Sequence, residues 1–367
     1  MEHLRPVWFG PLPASPLVSV LVTNYNYGKY IGDAIQSVLA QTYPKFEVIV
    51  CDDGSKDNSC EVIETWCRKD PRILLIRQPN GGQGAALNTA FSAAKGDVIA
   101  LLDGDDMALE RRLELVIQAF QQHPGTGMVT HPLRILDAQG RPGGREPEEP
   151  LDEGWLAPAL LHGPEPVFPP TSGLALRVEI AKRIFPLPPS RVARSHWDWL
   201  IREAAAFQAP VAAVNDTLGV YRLHGHSLFG HSRLVTLDQI EARLADLKEA
   251  MEGRKFYARS FLNAEPDARV CNAVVGVVFL SRAALLGERL PFRQIANYSF
   301  GKARWIWGCL FLLPPWLRKR IYLWAREGQI PLKGRKLKGQ AVRVLEGLAG
   351  SLGMSWKPGR RVRQQNF

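Results

Sequence analysis

Residues 97–106 read DVIALLDGDD. Six residues of strand character run without interruption into Asp103, Asp105 and Asp106. An apolar run this short, bounded by turn residues, reads as a strand buried on both faces. Carboxylates this close repel, and crowding raises the free energy of keeping all of them ionised. A bound divalent cation resolves that repulsion, because it is the largest local charge and draws carboxylate pKa values down. Hard cations of this kind prefer oxygen ligands, and magnesium takes a few carboxylates together with substrate phosphates. The residues therefore predict an Mg²⁺ or Mn²⁺ site.

Three more strands of the same type precede this one. LVSVLVTNY (17–25), FEVIVCDDGS (46–55) and RILLIRQ (72–78) are apolar and rich in β-branched residues up to a polar end. Helices alternate with them. Residues 30–41 place Ile31, Ile35, Val38 and Leu39 at helical spacing, with Pro44 as the stop. Asp57 or Asn58 can cap a helix with Val62, Ile63 and Trp66 on one face. NGGQGAALNTAFSAAKG (80–96) is a loop, then an Ala-rich helix. Residues 110–122 turn Leu113, Val116, Ile117 and Phe120 inward. This alternation predicts an α/β fold, a parallel sheet with helices on both faces. In such sheets ligands bind beyond the carboxyl ends of the strands. TNYNYG, DDGS, NGGQG and DGDD all fall there. Each alone is an ordinary turn composition; four at consecutive strand ends point to a site.

The rest is less regular. Residues 138–170 are rich in Gly, Pro and acid and read as a surface loop. TSGLALR (171–177) reads as a strand, residues around 196–207 as a helix, and 233–252 as one amphipathic helix. Residues 255–330 are helical in character. The expected organisation is an extension at 1–16, a catalytic domain at 17–230 in two halves (17–122 for the donor, 123–230 for the acceptor), a helical region at 231–330 and a basic tail at 331–367.

The chain has 367 residues, 46% apolar, and a net charge of +10. Beyond Arg318 only Glu327 and Glu346 are acidic. Nucleic acid is not the expected partner, since no aromatics interleave a basic strand platform. Trp305–Leu317 is apolar but broken by Pro314 and Pro315, too short to span a bilayer. With Arg318, Lys319 and Arg320 it reads equally as a peripheral contact with anionic lipid or as a packed helical pair. Five cysteines without CxxC spacing, and no apolar leader, predict a cytoplasmic protein, at most at the inner face of the membrane. GxxxxGK[ST] is absent and GGQGAA lacks the dinucleotide spacing, which excludes two other phosphate-binding classes.

The ordered set VSVLVTNYNYGKYIGDAIQSVLAQTYPKFEVIVCDDGSKDNS, NGGQGAALNTAFSAAKGDVIALLDGDD and HWDWLIREAA…VYRLHG resembles inverting glycosyltransferases of family 2, which have the GT-A fold. The resemblance spans about residues 17–225. It implies transfer of a sugar from a nucleotide-sugar, with UDP favoured, to a glycan or lipid-linked acceptor. It implies Asp105 as metal ligand, Asp103 near the ribose or on the metal, and Asp106 in support. Thr23, Tyr25 and Asp53 match base-holding positions, with Tyr25 stacking, Asp53 accepting a ring N–H and Gln83 contributing from NGGQG. His224 matches a position near the diphosphate or metal; with His226 and His231 alone, a zinc site lacks a Cys or acid. Inversion needs a carboxylate base on the acceptor side. The family's Glu-Asp pair is replaced here by SHWDW (195–199), so Asp198 is the candidate and His196 its rival. The departure leaves one alternative, a catalytically impaired nucleotide-sugar-binding homologue.

Overall fold

The computed structural model describes residues 5–137, 139–142, 150–163, 165–189, 197–224, 237–268 and 270–271, with isolated positions 279, 280, 283 and 286. His196, His226, His231, Cys309 and the Trp305–Arg320 segment lie outside the described residues. The chain divides into two compact units, Met1–His231 with Glu252–Pro266, and Ser232–Met251 with Asp267–Phe367. The first carries both sheets and the candidate site.

Its donor half follows the alternation read from sequence. β1 (Val18–Asn24), α1 (Ile31–Leu39), β2 (Phe46–Asp52), α2 (Ser59–Lys69), β3 (Ile73–Arg77), α3 (Gln83–Ala93) and β4 (Val98–Asp103) follow one another. All seven residues of β1 are buried, as a strand covered on both faces requires. Next come β5 (Met107–Ala108), α4 (Arg112–Gln122), β6 (Met128–Thr130), β7 (Leu133–Leu136), α5 (Ala157–His162), a 3₁₀ turn at Thr171–Gly173, β8 (Leu174–Arg177) and α6 (Val178–Ile184). α7 (Trp197–Gln208), β9 (Val211–Ala213), β10 (Gly219–Arg222) and α8 (Leu237–Leu262) complete the described elements.

The main sheet has seven strands in the order β3-β2-β1-β4-β8-β6-β9. The sheet is mostly parallel, as expected, with one exception: β8 runs antiparallel to both β4 and β6. The chain enters β8 from the 3₁₀ turn beside the end of β4, so it starts where its neighbours finish. A second sheet, β5-β10-β7, had no signal in the sequence, because β5 has two residues and the others four. The expected loop at 138–170 contains α5, entered through Pro158. The amphipathic helix expected at 233–252 extends to Leu262.

The order 3-2-1-4 has a functional consequence. From β1 the chain winds outward through β2 and β3, then returns to β4 on the other side of β1. That reversal leaves a crevice at the carboxyl ends of β1 and β4. Beneath it, the inner faces of α1 and α4 close on the sheet. Ile31, Ile35, Val38, Leu113, Val116, Ile117 and Phe120 form one core with alternate residues of β1, β2 and β4. The residues before β1 pack as a strap: Val7 N–H donates to the Gln208 carbonyl at 2.7 Å, and the Tyr43 hydroxyl to the Pro16 carbonyl at 2.6 Å.

Phe120 is fully buried in this core. Phe120→Ala should lower the unfolding free energy by about 3–5 kcal/mol, as large-to-small aromatic changes do. Urea unfolding checks this; a loss under about 1 kcal/mol would place Phe120 at a site that can collapse.

Candidate active site

The strand ends are locked by polar bonds before any ligand is considered. Asn24 Nδ2 donates to Asp52 Oδ2 at 2.7 Å, and Ser55 closes on Asp52 through its N–H (2.9 Å) and hydroxyl (2.6 Å). Asp53 organises the NGG loop. Its Oδ1 accepts Gln78 Nε2 at 2.7 Å and Gly81 N–H at 2.8 Å, and its Oδ2 accepts Gly82 N–H at 2.8 Å. Gly54, at φ +78°, turns the chain away immediately afterwards. Any Cβ there would stand 2.9 Å from the Asn80 nitrogen, so only glycine fits DDG at this point. Gln83, in the first turn of α3, reaches across to Asp103 Oδ1 (2.6 Å) and Thr23 Oγ1 (3.2 Å), joining the ends of β1 and β4.

Asp103, Asp105 and Asp106 each offer an oxygen within 4.8 Å of the others. They do three different things. Asp106 is 1% exposed and fully engaged: Oδ2 accepts the Ser172 hydroxyl at 2.6 Å and Oδ1 the Arg222 N–H at 3.0 Å. It ties the turn to the 3₁₀ segment and β10. Asp105 faces the imidazole of His224, Oδ2 to Nε2 at 2.9 Å. The acid that His224 lacks among its sequence neighbours thus comes from 119 residues away. His224 stacks on Tyr30 (centroids 4.6 Å apart, 18°) and meets Tyr27 edge-on at 5.6 Å, which fixes the ring plane. Asp103 remains at the floor of the cleft.

Burial first, then mutual repulsion, holds the Asp103 and Asp106 carboxyls well above the usual carboxylate range. The partial counter-charge is Arg112, wholly buried in α4. It donates from Nη2 to the Leu101 carbonyl (2.7 Å) and from Nε to His131 Nε2 (3.0 Å). Burial lowers Arg112 to about 10, with Asp106 opposing, and lowers His131 to about 3, so His131 is a neutral acceptor here.

The cleft above holds about 490 Å³, within the roughly 300–1,000 Å³ of small-molecule sites. Its donor side brings together Thr23, Tyr25, Asp53, Gln83, Asp103 and Asp105; Asp198 faces them from the first turn of α7. Asp106 and His224 stand behind this surface. Sequence reading missed Tyr27, Thr171, Trp197 and Tyr221, which also line it. Tyr27 sits inside the quoted TNYNYG, a usable signal. Tyr221 lies on the unpredicted second sheet, and Thr171 in the 3₁₀ turn.

The three carboxylates form a set of hard oxygen donors suited to a divalent cation, with the His224 imidazole beside Asp105. Without one, the raised pKa values predict a pH dependence of stability. A carboxyl raised in the folded state contributes stability that is complete below the ordinary carboxylate range and is lost as pH rises through the raised value. In EDTA, the melting temperature should therefore rise as pH falls from about 7 to about 5, and Asp103→Asn should flatten that slope. Equal slopes for the two proteins in calorimetry would contradict the burial of charge described here.

The profile described as "Glycosyl transferase family 2" matches residues 19–183. The uncharacterized glycosyltransferase alr2836 of Nostoc sp. is 38% identical over 320 residues, covering 84% of this chain and 93% of its own length. The chondroitin synthase of Pasteurella multocida (strain Pm70) is 39% identical over 119 residues, 32% of this chain and 12% of that one. Among solved structures, residues 1–349 of S. aureus TarS in complex with UDP-GlcNAc align with a TM-score of 0.55 at 17% identity, covering 86% and 93% of the two chains. The mannosyltransferase PcManGT of Pyrobaculum calidifontis, in complex with GDP-Man and Mn²⁺, aligns with a TM-score of 0.50 at 18% identity, covering 91% and 93%. The chain belongs to glycosyl transferase family 2 and is a glycosyltransferase with the GT-A fold.

Proposed function

We propose that this glycosyltransferase transfers a sugar, with inversion, from a UDP-sugar to an acceptor hydroxyl of a glycan or lipid-linked acceptor, using Mn²⁺ or Mg²⁺. The observation that carries the reading is the convergence of Asp103, Asp105 and Asp106 at the end of β4, in one cleft with Asp53 and Asp198. Asp105, His224 and Asp103 would hold the cation, since Asp106 is 1% exposed and stands behind the cleft surface. These residues would thereby place a positive charge where the diphosphate leaving group develops negative charge.

The choice of UDP rests on hydrogen-bond capacity. A carboxylate has about four acceptor positions on its two oxygens. Asp53 has used three, two on Oδ1 and one on Oδ2. The position left on Oδ2 suits a base edge with a single N–H, as uracil presents at N3. Guanine brings two donors side by side, and the second would meet an oxygen already filled. Tyr25 is 44% exposed at the cleft mouth, free of the core and open to stacking on a base. Thr23 and Gln83 border the same space and fix Asp103. Asp198 faces the sugar side of the cleft, where an acceptor hydroxyl loses its proton as its oxygen attacks. Among the described residues no helix is long and apolar enough to cross a membrane.

Calorimetric titration tests both parts. UDP should bind at least about tenfold more tightly with Mn²⁺ than with excess EDTA, a difference of about 1.4 kcal/mol, and Asp105→Ala should remove that gain. With Mn²⁺ present, UDP should bind more tightly than GDP, and Asp53→Asn should weaken UDP with or without the metal. Equal UDP affinity in Mn²⁺ and EDTA sinks the metal reading; tighter GDP binding sinks the assignment of the base.

A further inference from the structure

Asp198 sits half-buried in the first turn of α7, and its neighbours on both sides are anchored. Trp197 is 1% exposed, among the largest side chains fully enclosed by the fold. The Trp199 indole N–H donates to Glu203 one turn later. The Arg202 guanidinium lies over the Trp199 ring at 5.0 Å and over Phe168 at 5.4 Å. Glu203, itself buried, is held by Arg254: Nε donates to Oε2 at 3.1 Å, and Nη2 donates to Oε1. The same Nη2 donates to Glu165 at 2.7 and 2.9 Å, fastening the segment before the 3₁₀ turn. Arg254 is 0% exposed. It lies in the C-terminal half of α8, inside the first compact unit. Next to it, a Cβ on Gly253 would come within 2.6 Å of Leu200 Cδ2, so the backbone of α8 lies against this side chain of α7.

We propose that Arg254 is a positioning residue for Asp198, acting through Glu203 and Trp199. An arginine beyond the 19–183 match would then set the aim of the acceptor base. A guanidinium with a rigid fork suits this role, because it holds two carboxylates in fixed directions at once. A single Arg254→Ala change strands the Glu203 carboxylate in the interior and risks unfolding. Replacing the buried pair together by neutral groups of similar size avoids that penalty. The inference rests on the reading of Asp198 as the base, and the experiment separates the two.

The full chain is compared with Asp198→Asn, with the double variant Glu203→Gln/Arg254→Met, and with the triple combination. The probe is UDP-GlcNAc with Mn²⁺ and no added acceptor, so that water takes the acceptor's place, and UDP release is followed. Asp198→Asn should lower kcat by about 10²-fold or more. The double variant should lower kcat by about tenfold, with KM for UDP-GlcNAc unchanged. In the triple variant the double change should have no further effect, because groups acting as one unit are not additive. Multiplying effects, or an unchanged kcat in the double variant, overturn the positioning role. If Asp198→Asn keeps the wild-type rate, the base reading fails instead. Hydrogen exchange is a second reading of the positioning claim that needs no turnover. Amides 201–204, which bond to carbonyls one turn earlier, should exchange at least tenfold faster in the double variant while those of α3 stay unchanged. Unaltered exchange at 201–204 overturns it.

Discussion

Repulsion among three crowded carboxylates, two of them buried, is the constraint around which the donor half is arranged. Left alone, Asp103, Asp105 and Asp106 would separate or stay protonated, and burial reinforces both tendencies. The fold prevents separation by giving each acid a different tether. Ser172 and the backbone of Arg222 grip Asp106, His224 faces Asp105, and Gln83 holds Asp103. Arg112 places one positive charge beneath them. It is wholly buried and bound mostly to backbone carbonyls and a neutral His131, so its charge is screened little by solvent. A site built this way is short of positive charge in front and supplied with it behind. On the proposed reading, a cation in front of the acids, and through it an anionic ligand, would relieve the repulsion.

The sheet order explains why these tethers come from so far apart. The crevice between β1 and β4 is where the winding reverses, so the segments bordering it are distant in sequence: Ser172 from the 3₁₀ turn, Arg222 and His224 from the end of β10, Gln83 from α3. The donor half could be read because each strand is buried on both faces and declares itself as a continuous apolar run with a polar end. VSVLVTN, FEVIVCD and VIALLD gave the right elements within one to three residues, and the DGDD cluster was visible as a cluster. What sequence could not give was the division of labour inside it. That depends on contacts such as His224 with Asp105, 119 positions apart.

The acceptor half was less legible for a different reason. β9 and β10 have three and four residues, too few to establish a period, and although TSGLALR reads as a strand, the antiparallel placement of β8 follows from where the chain re-enters rather than from its composition. Helix α8 reads as amphipathic over 233–252, which leaves out Arg254, yet Arg254 is buried against two acids. Long charged side chains declare their burial only through partners, and Glu203 and Glu165 are 51 and 89 positions away. Asp198 was found by elimination as the carboxylate of SHWDW. Its cleft-facing position, opposite Asp103, emerges only with the fold.

The most direct test of the central claim is anomalous diffraction at the manganese edge from crystals of the full chain soaked with Mn²⁺ and UDP. The account predicts one peak per chain, at bonding distance from Asp105 and beside His224, with the UDP diphosphate completing its coordination. UDP bound in the cleft with no manganese peak at Asp103–Asp106 would contradict it.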